Sequence, residues 1–66
     1  MQITVNGEPR EIPSGWTIAD LLRELDLSVA HVAVEVNRNL VPRAQHAEVT
    51  IAAGDELEVV TLVGGG

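Results

Sequence analysis

Apolar and polar residues alternate from the start of the chain. Ile3 and Val5 point to one side and Gln2 and Thr4 to the other, the period of a strand with one face buried. Asn6-Gly7 follows, and both residues tolerate the positive φ of a type I′ turn, so a tight hairpin is predicted there. The return strand runs from Glu8 to Ile12, and Pro9 suits an edge, where one N–H is not needed for pairing. Pro13-Ser14-Gly15 breaks the sheet. The period then changes: Ile18, Leu21, Leu22 and Leu25 fall at i, i+3, i+4 and i+7, the apolar stripe of a helix. Thr17 is its expected N-cap, Asp20 completes a Thr-x-x-Asp capping box, and Trp16 is placed to staple against Leu21. Asp20, Arg23 and Glu24 face water.

Alternation returns at His31–Val36, with Val32, Val34 and Val36 on one face of a third strand. Asn37-Arg38-Asn39 turns the chain, Leu40-Val41 is a brief strand, and Pro42 ends it. Val49–Ile51 reads as another short piece. Ala53-Gly54-Asp55 is a turn, and Glu56–Val63 is the last strand, with Leu57 and Val59 inward and Glu58, Val60 and Leu62 outward. Hairpin, helix, then further strands predict an α+β fold: a mixed sheet with one main helix packed on one face. The expected division is a domain over 1–63 and a flexible glycine tail over 64–66.

Length and charge restrict what such a domain does. Sixty-six residues make one small domain with a thin stability margin, and with no cysteine neither a disulfide nor a thiolate metal site supplements the core. Apolar runs fall far short of the ~20 residues that span a bilayer, and the N-terminal residues lack the pattern of a signal peptide. A cytoplasmic protein, monomeric when free and without a membrane partner, is expected. Ten acidic residues against four arginines give a net charge of −6. With one aromatic residue, Trp16, there is no basic stacking surface, so nucleic acid is not an expected partner. An acidic domain suits either a protein with a complementary positive face or simple solubility.

Catalytic chemistry is missing. The chain has no Cys nucleophile, no Lys and no Ser-His-Asp spacing, and His31 and His46 lack an acidic cluster of metal-ligand spacing. Each histidine reads as a surface or satisfied side chain. Neither a catalytic residue, a bound cofactor nor a metal is expected. Gly64-Gly65-Gly66 is different, because glycines without side chains thread a channel too narrow for a Cβ. A frayed end is the plain alternative. Val60 and Leu62, apolar and outward just before the tail, are expected to form a docking patch for whatever grips it.

Three stretches together resemble the ThiS family of thiazole biosynthesis. They are the Asn6-Gly7 hairpin with Gly15-x-Thr17 and its helix; Val34-x-Val36-Asn37 followed by Leu40-Val41-Pro42-Arg43; and Gly54-Asp55, an apolar strand and the terminal Gly65-Gly66. Two features depart from the family pattern: His46 stands near the usual place of an aromatic residue, and Gly64 precedes the diglycine. The resemblance implies a ubiquitin-like β-grasp fold with the first and last strands as parallel neighbours. It also implies a sulfur carrier and not an enzyme. An adenylating, E1-like partner using ATP and Mg²⁺ would activate the Gly66 carboxylate, and a persulfide enzyme would donate sulfur to form a thiocarboxylate. A thiazole synthase would consume it. Gly64 and Gly65 would thread the partner's channel. Molybdopterin synthesis or another sulfur acceptor is the neighbouring alternative, and a TGS-like binding module or a ubiquitin-like protein modifier is the alternative of another class.

Overall fold

The computed structural model describes residues 1–27 and 31–61. Strand β1 (Gln2–Val5) and strand β2 (Glu8–Glu11) form the first hairpin. Asn6 and Gly7 at its tip both have positive φ, 52° and 83°, as a type I′ turn demands. The second strand is one residue shorter than expected. Ile12 leaves the ladder and turns into the core, although its N–H still donates to the Met1 carbonyl at 2.9 Å. Helix α1 (Ile18–Glu24) follows, then strands β3 (Val32–Val36) and β4 (Asn39–Val41), a 3-10 turn at Arg43–Gln45, and strand β5 (Glu56–Thr61). The expected last two residues of β5, Leu62 and Val63, lie outside the described residues, as do 64–66.

The sheet order is β2-β1-β5-β3-β4. Strands β1 and β5 are parallel and all other neighbours antiparallel, so the last strand sits at the centre. This is the mixed β-grasp sheet that the sequence pattern and the resemblance imply together. One face carries Ile3, Leu57, Val59, Val32 and Val34, all buried, and meets Ile18, Leu21 and Leu22 of α1 with Ile12 and Ile51. Trp16 packs half-buried against this cluster. Fully burying a Leu or Ile side chain stabilises by ~1.5–3 kcal/mol, which makes this layer the main support of the fold.

Each of the first four N–H groups of α1 has a partner. Ile18 donates to the Val49 carbonyl at 3.1 Å and Ala19 to the His46 carbonyl at 2.9 Å. The Asp20 N–H reaches Thr17 Oγ1 at 3.2 Å, and Leu21 donates to the Thr17 carbonyl at 3.2 Å. Thr17 N–H in return donates to Asp20 Oδ2 at 2.9 Å, which closes the expected capping box. Val49–Ile51 is therefore not a sheet strand. It makes one bridge, Thr17 with Thr50, because its backbone is committed to the start of the helix.

At the other end of α1, Asp26 N–H bonds to Arg23 O at 3.0 Å and Leu27 N–H to Leu22 O at 2.9 Å. That is a Schellman stop, with Asp26 at φ 59° where glycine is usual.

Candidate functional site

The proposed working end is reached through β5, and the fold fixes this strand from both sides. On one side the β1 ladder ends where Asn6 N–H donates to the Leu57 carbonyl at 2.9 Å. The chain then turns away, and the Asn6 side chain takes over as a peptide would. Its Nδ2 donates to the Val59 carbonyl at 3.1 Å, and its Oδ1 accepts the Val59 N–H at 2.8 Å. On the other side β3 pairs with β5 from Val36↔Leu57 to Val32↔Thr61. The start of β5 is held by a second asparagine: Asn37 Oδ1 accepts the Glu56 N–H at 3.0 Å, and Asn37 Nδ2 donates to Asp55 Oδ1 at 3.0 Å. Asp55 Oδ2 in turn accepts the Ala52 N–H at 2.8 Å, which closes the turn into the strand. Asn6 and Asn37 were read from the sequence only as turn residues; an asparagine flanked by two strands carries no local sign of a third strand that it will hold.

Leu57 and Val59 face the core and Glu56, Glu58 and Val60 face outward, as the alternation predicted. Val60 is 54 % exposed. Leu62, its proposed companion, and Gly64, Gly65 and Gly66 lie outside the described residues. His31 is exposed. His46 is 2 % exposed and is the buried polar residue of the core layer. Its Nε2 lies 3.1 Å from the Val41 carbonyl, which can only accept, so Nε2 is the donor of this hydrogen bond. Nδ1 is buried without a hydrogen-bond partner. The histidine thus fills a core position as a flat ring, while its own carbonyl caps α1.

Among the described residues, no cluster of three or more His, Asp or Glu side chains is placed to hold a metal ion. No helix among them is long and apolar enough to cross a membrane.

Comparison with known proteins agrees with this geometry. The ThiS family model matches residues 3–66. The chain belongs to the ThiS family. The sulfur carrier protein ThiS of Escherichia coli is 33 % identical over 66 residues, all of both chains. The crystal structure of the thiamine biosynthesis protein ThiS from Geobacter metallireducens superposes with a TM-score of 0.85 at 30 % identity, covering 100 % of both chains. A thiazole synthase of Paramagnetospirillum magneticum is 41 % identical over 66 residues, but the chain spans only 20 % of that protein's length. The same holds for a thiazole synthase of Magnetococcus marinus, 39 % identical over 20 % of its length. The ThiS match thus takes in the whole fold together with the glycines beyond β5.

Proposed function

We propose that this chain is a sulfur carrier of thiamine biosynthesis whose reactive group is the Gly66 carboxylate. The supporting observation is a family match that runs through to residue 66, on a fold whose central strand leads in sequence to three glycines. The carrier is substrate and not catalyst. It works in the cytoplasm as a domain over 1–63, monomeric when free, with a tail over 64–66.

A carboxylate is a poor electrophile, because its charge repels nucleophiles and oxide is not a leaving group. In the proposed cycle an E1-like adenylating enzyme holds ATP and Mg²⁺. A Gly66 carboxylate oxygen attacks the α-phosphorus, pyrophosphate leaves, and an acyl-adenylate forms. Hydrosulfide then adds to the carbonyl carbon and AMP departs, leaving a thiocarboxylate. If a persulfide enzyme supplies the sulfur, the first product is an acyl disulfide, and a thiol cleaves its S–S bond to release the same thiocarboxylate. Thiazole synthase is the proposed acceptor, and the thiazole synthases that contain a homologous stretch support that choice. Gly64 and Gly65 admit the tail into a narrow channel, since neither presents a Cβ. Val60 and Leu62 are the proposed grip beside it.

Intact-mass measurement tests the reading. After incubation with the adenylating enzyme, ATP, Mg²⁺ and sulfide, one oxygen of the chain should be replaced by sulfur, on the C-terminal peptide. Deleting Gly66 should abolish that exchange and growth without thiamine while leaving the melting temperature unchanged. An unmodified wild-type chain, or growth supported by the truncated one, would overturn the proposal.

A further inference from the structure

Asn6 is followed by Gly7, and that pair carries a reaction of its own. A peptide nitrogen can attack the side-chain amide carbon of the asparagine before it. Glycine in the second place favours the approach, because it has no Cβ to obstruct it and the most freely turning backbone. The other asparagines, Asn37 and Asn39, precede Arg38 and Leu40. The fold supplies a comparison within one chain. Asn6 and Asn37 stand at the same place in two tight turns, at φ 52° and 51°, and Gly7 and Arg38 follow them at 83° and 71°. Both side-chain amides hold β5, Asn6 at Val59 and Asn37 at Glu56. Arg38 shows that this fold accepts a side chain at the second turn position, and a Cβ at Gly7 would meet no atom within 4 Å beyond its chain neighbours. The labile pair stands only at the Val59 clamp.

Folding holds the reaction back. Asn6 Nδ2 donates to the Val59 carbonyl at 3.1 Å while Oδ1 accepts the Val59 N–H at 2.8 Å. The amide cannot turn onto the Gly7 nitrogen without breaking both bonds. Asn6 and Gly7 are exposed, so solvent base and water reach the turn whenever the clamp opens.

We propose that Asn6 is a self-modification site: it deamidates at a rate set by the opening of its own clamp on β5, and the product cannot close that clamp again. The Gly7 N–H loses its proton to solvent base, the nitrogen bonds to Asn6 Cγ, and the Cγ–Nδ2 bond breaks to release ammonia. Water then opens the cyclic imide at either of its carbonyls, which leaves an aspartate or an isoaspartate. One water is consumed for each ammonia released, and no oxidant or enzyme takes part. An aspartate keeps an oxygen for the Val59 N–H but sets its other oxygen against the Val59 carbonyl, acceptor against acceptor. An isoaspartate adds a methylene to the backbone of a two-residue turn and so strains the Val5↔Glu8 register beside it. Either product leaves β5 held at this point only by its pairing with β3, on the strand that leads in sequence to the three glycines. None of this needs a partner enzyme, so the site stands or falls apart from the carrier reading.

The test is peptide mapping of the full chain after incubation at mildly alkaline pH, folded and in urea, with asparagine, aspartate and isoaspartate separated at each position. In urea Asn6 should convert roughly ten-fold or more faster than Asn37, and Gly7→Arg should bring it down to the Asn37 rate. Folding should slow conversion at Asn6 by roughly ten-fold or more, the factor expected when two hydrogen bonds must open first. Equal rates at Asn6 and Asn37 in urea would remove the site, and equal rates at Asn6 with and without urea would remove the gate; either result overturns the proposal. Hydrogen exchange reads the consequence. In Asn6→Asp the Val59 N–H should exchange roughly ten-fold or more faster, with a smaller change at the Leu25 N–H of α1. Wild-type chain that has deamidated while folded gives the same reading should the variant fail to fold. Val59 exchange that is unchanged, or quickened no more than that of Leu25, would show that the product still closes the clamp, and the proposal would fall.

Discussion

At the scale of single residues, Asn6 has the widest consequences. It sits at φ 52°, a conformation asparagine tolerates better than most side chains, and its amide bonds both backbone groups of Val59, 53 positions away. Asn6→Ala should therefore cost about 2–3 kcal/mol. Two hydrogen bonds at roughly 1 kcal/mol each are lost, partly buried backbone groups are left unpaired, and the left-handed turn becomes less favourable. Asn6→Gly separates these contributions, because it keeps the turn and removes only the clamp; its loss should be smaller. Urea unfolding measures both, and equal, small losses would show that the amide does not hold the strand. The sequence made Asn6 legible as half of an Asn-Gly hairpin and no further. His46 was equally opaque. No local period in Arg43-Ala44-Gln45-His46 signals that the ring will lie in the core, because the chain here folds back over the start of α1; the one hint was that the resemblance puts an aromatic residue near this place.

At the scale of elements, local rules carried most of the structure. The Thr17/Asp20 capping box, the apolar stripe Ile18, Leu21, Leu22 with Leu25 at the C-cap, and both asparagine turns stand where sequence placed them. So does the alternation in β1, in β3 from Val32 (His31 stays outside the strand) and in β5 as far as Thr61. Strength in these signals comes from neighbours close in sequence. Val49–Ile51 misled for the opposite reason: its apolar residues are inward, but apart from the Val49 N–H, which donates to the Gln45 carbonyl, its backbone bonds run to Trp16 and Ile18, more than thirty positions earlier. The capping box also predicts a pH response. The Thr17 N–H, then the Thr17 hydroxyl and the Arg23 guanidinium, favour ionised Asp20 and hold its carboxyl below the usual range. A carboxyl depressed in the folded state contributes stability above its unfolded pKa of about 4 and loses it as pH falls through the folded value. Asp20→Asn should lower stability at neutral pH and flatten the decline below ~pH 4, since amide nitrogen and oxygen do not titrate there. Denaturant midpoints against pH check this, and parallel curves for wild type and variant would remove the carboxylate from the account. Thr17→Ala should cost about 1 kcal/mol at neutral pH and less once Asp20 is protonated, because its hydroxyl also favours the ionised carboxyl.

At the scale of the whole molecule, sequence pattern gave two layers but not the order of strands. Placing β5 between β1 and β3 drew on the family resemblance, because a parallel β1–β5 pair joins segments about fifty residues apart and no local period encodes that choice. The glycines and Val60 were legible as a candidate site from their position beside the last strand. That Glu35 faces Glu58 was not legible, since they become neighbours only through the β3–β5 register. Global charge leads to a final prediction. At −6 over 66 residues the folded domain repels itself, and Glu35 with Glu58 is one pair in that sum. The ion pairs Arg23–Asp20 and Met1 amino group–Glu11 each include a well-exposed side chain, at 68 % and 76 % exposure, so screening them removes little. Screening the repulsion should win. Raising NaCl from ~20 to ~300 mM shortens the screening length several-fold. Stability should rise by on the order of 1 kcal/mol, several degrees in melting temperature for a domain this small. Glu58→Gln should start higher and gain less. A melting temperature that falls with added NaCl would mean that attractive pairs dominate the field and that the like charges of Glu35 and Glu58 are balanced within the free domain.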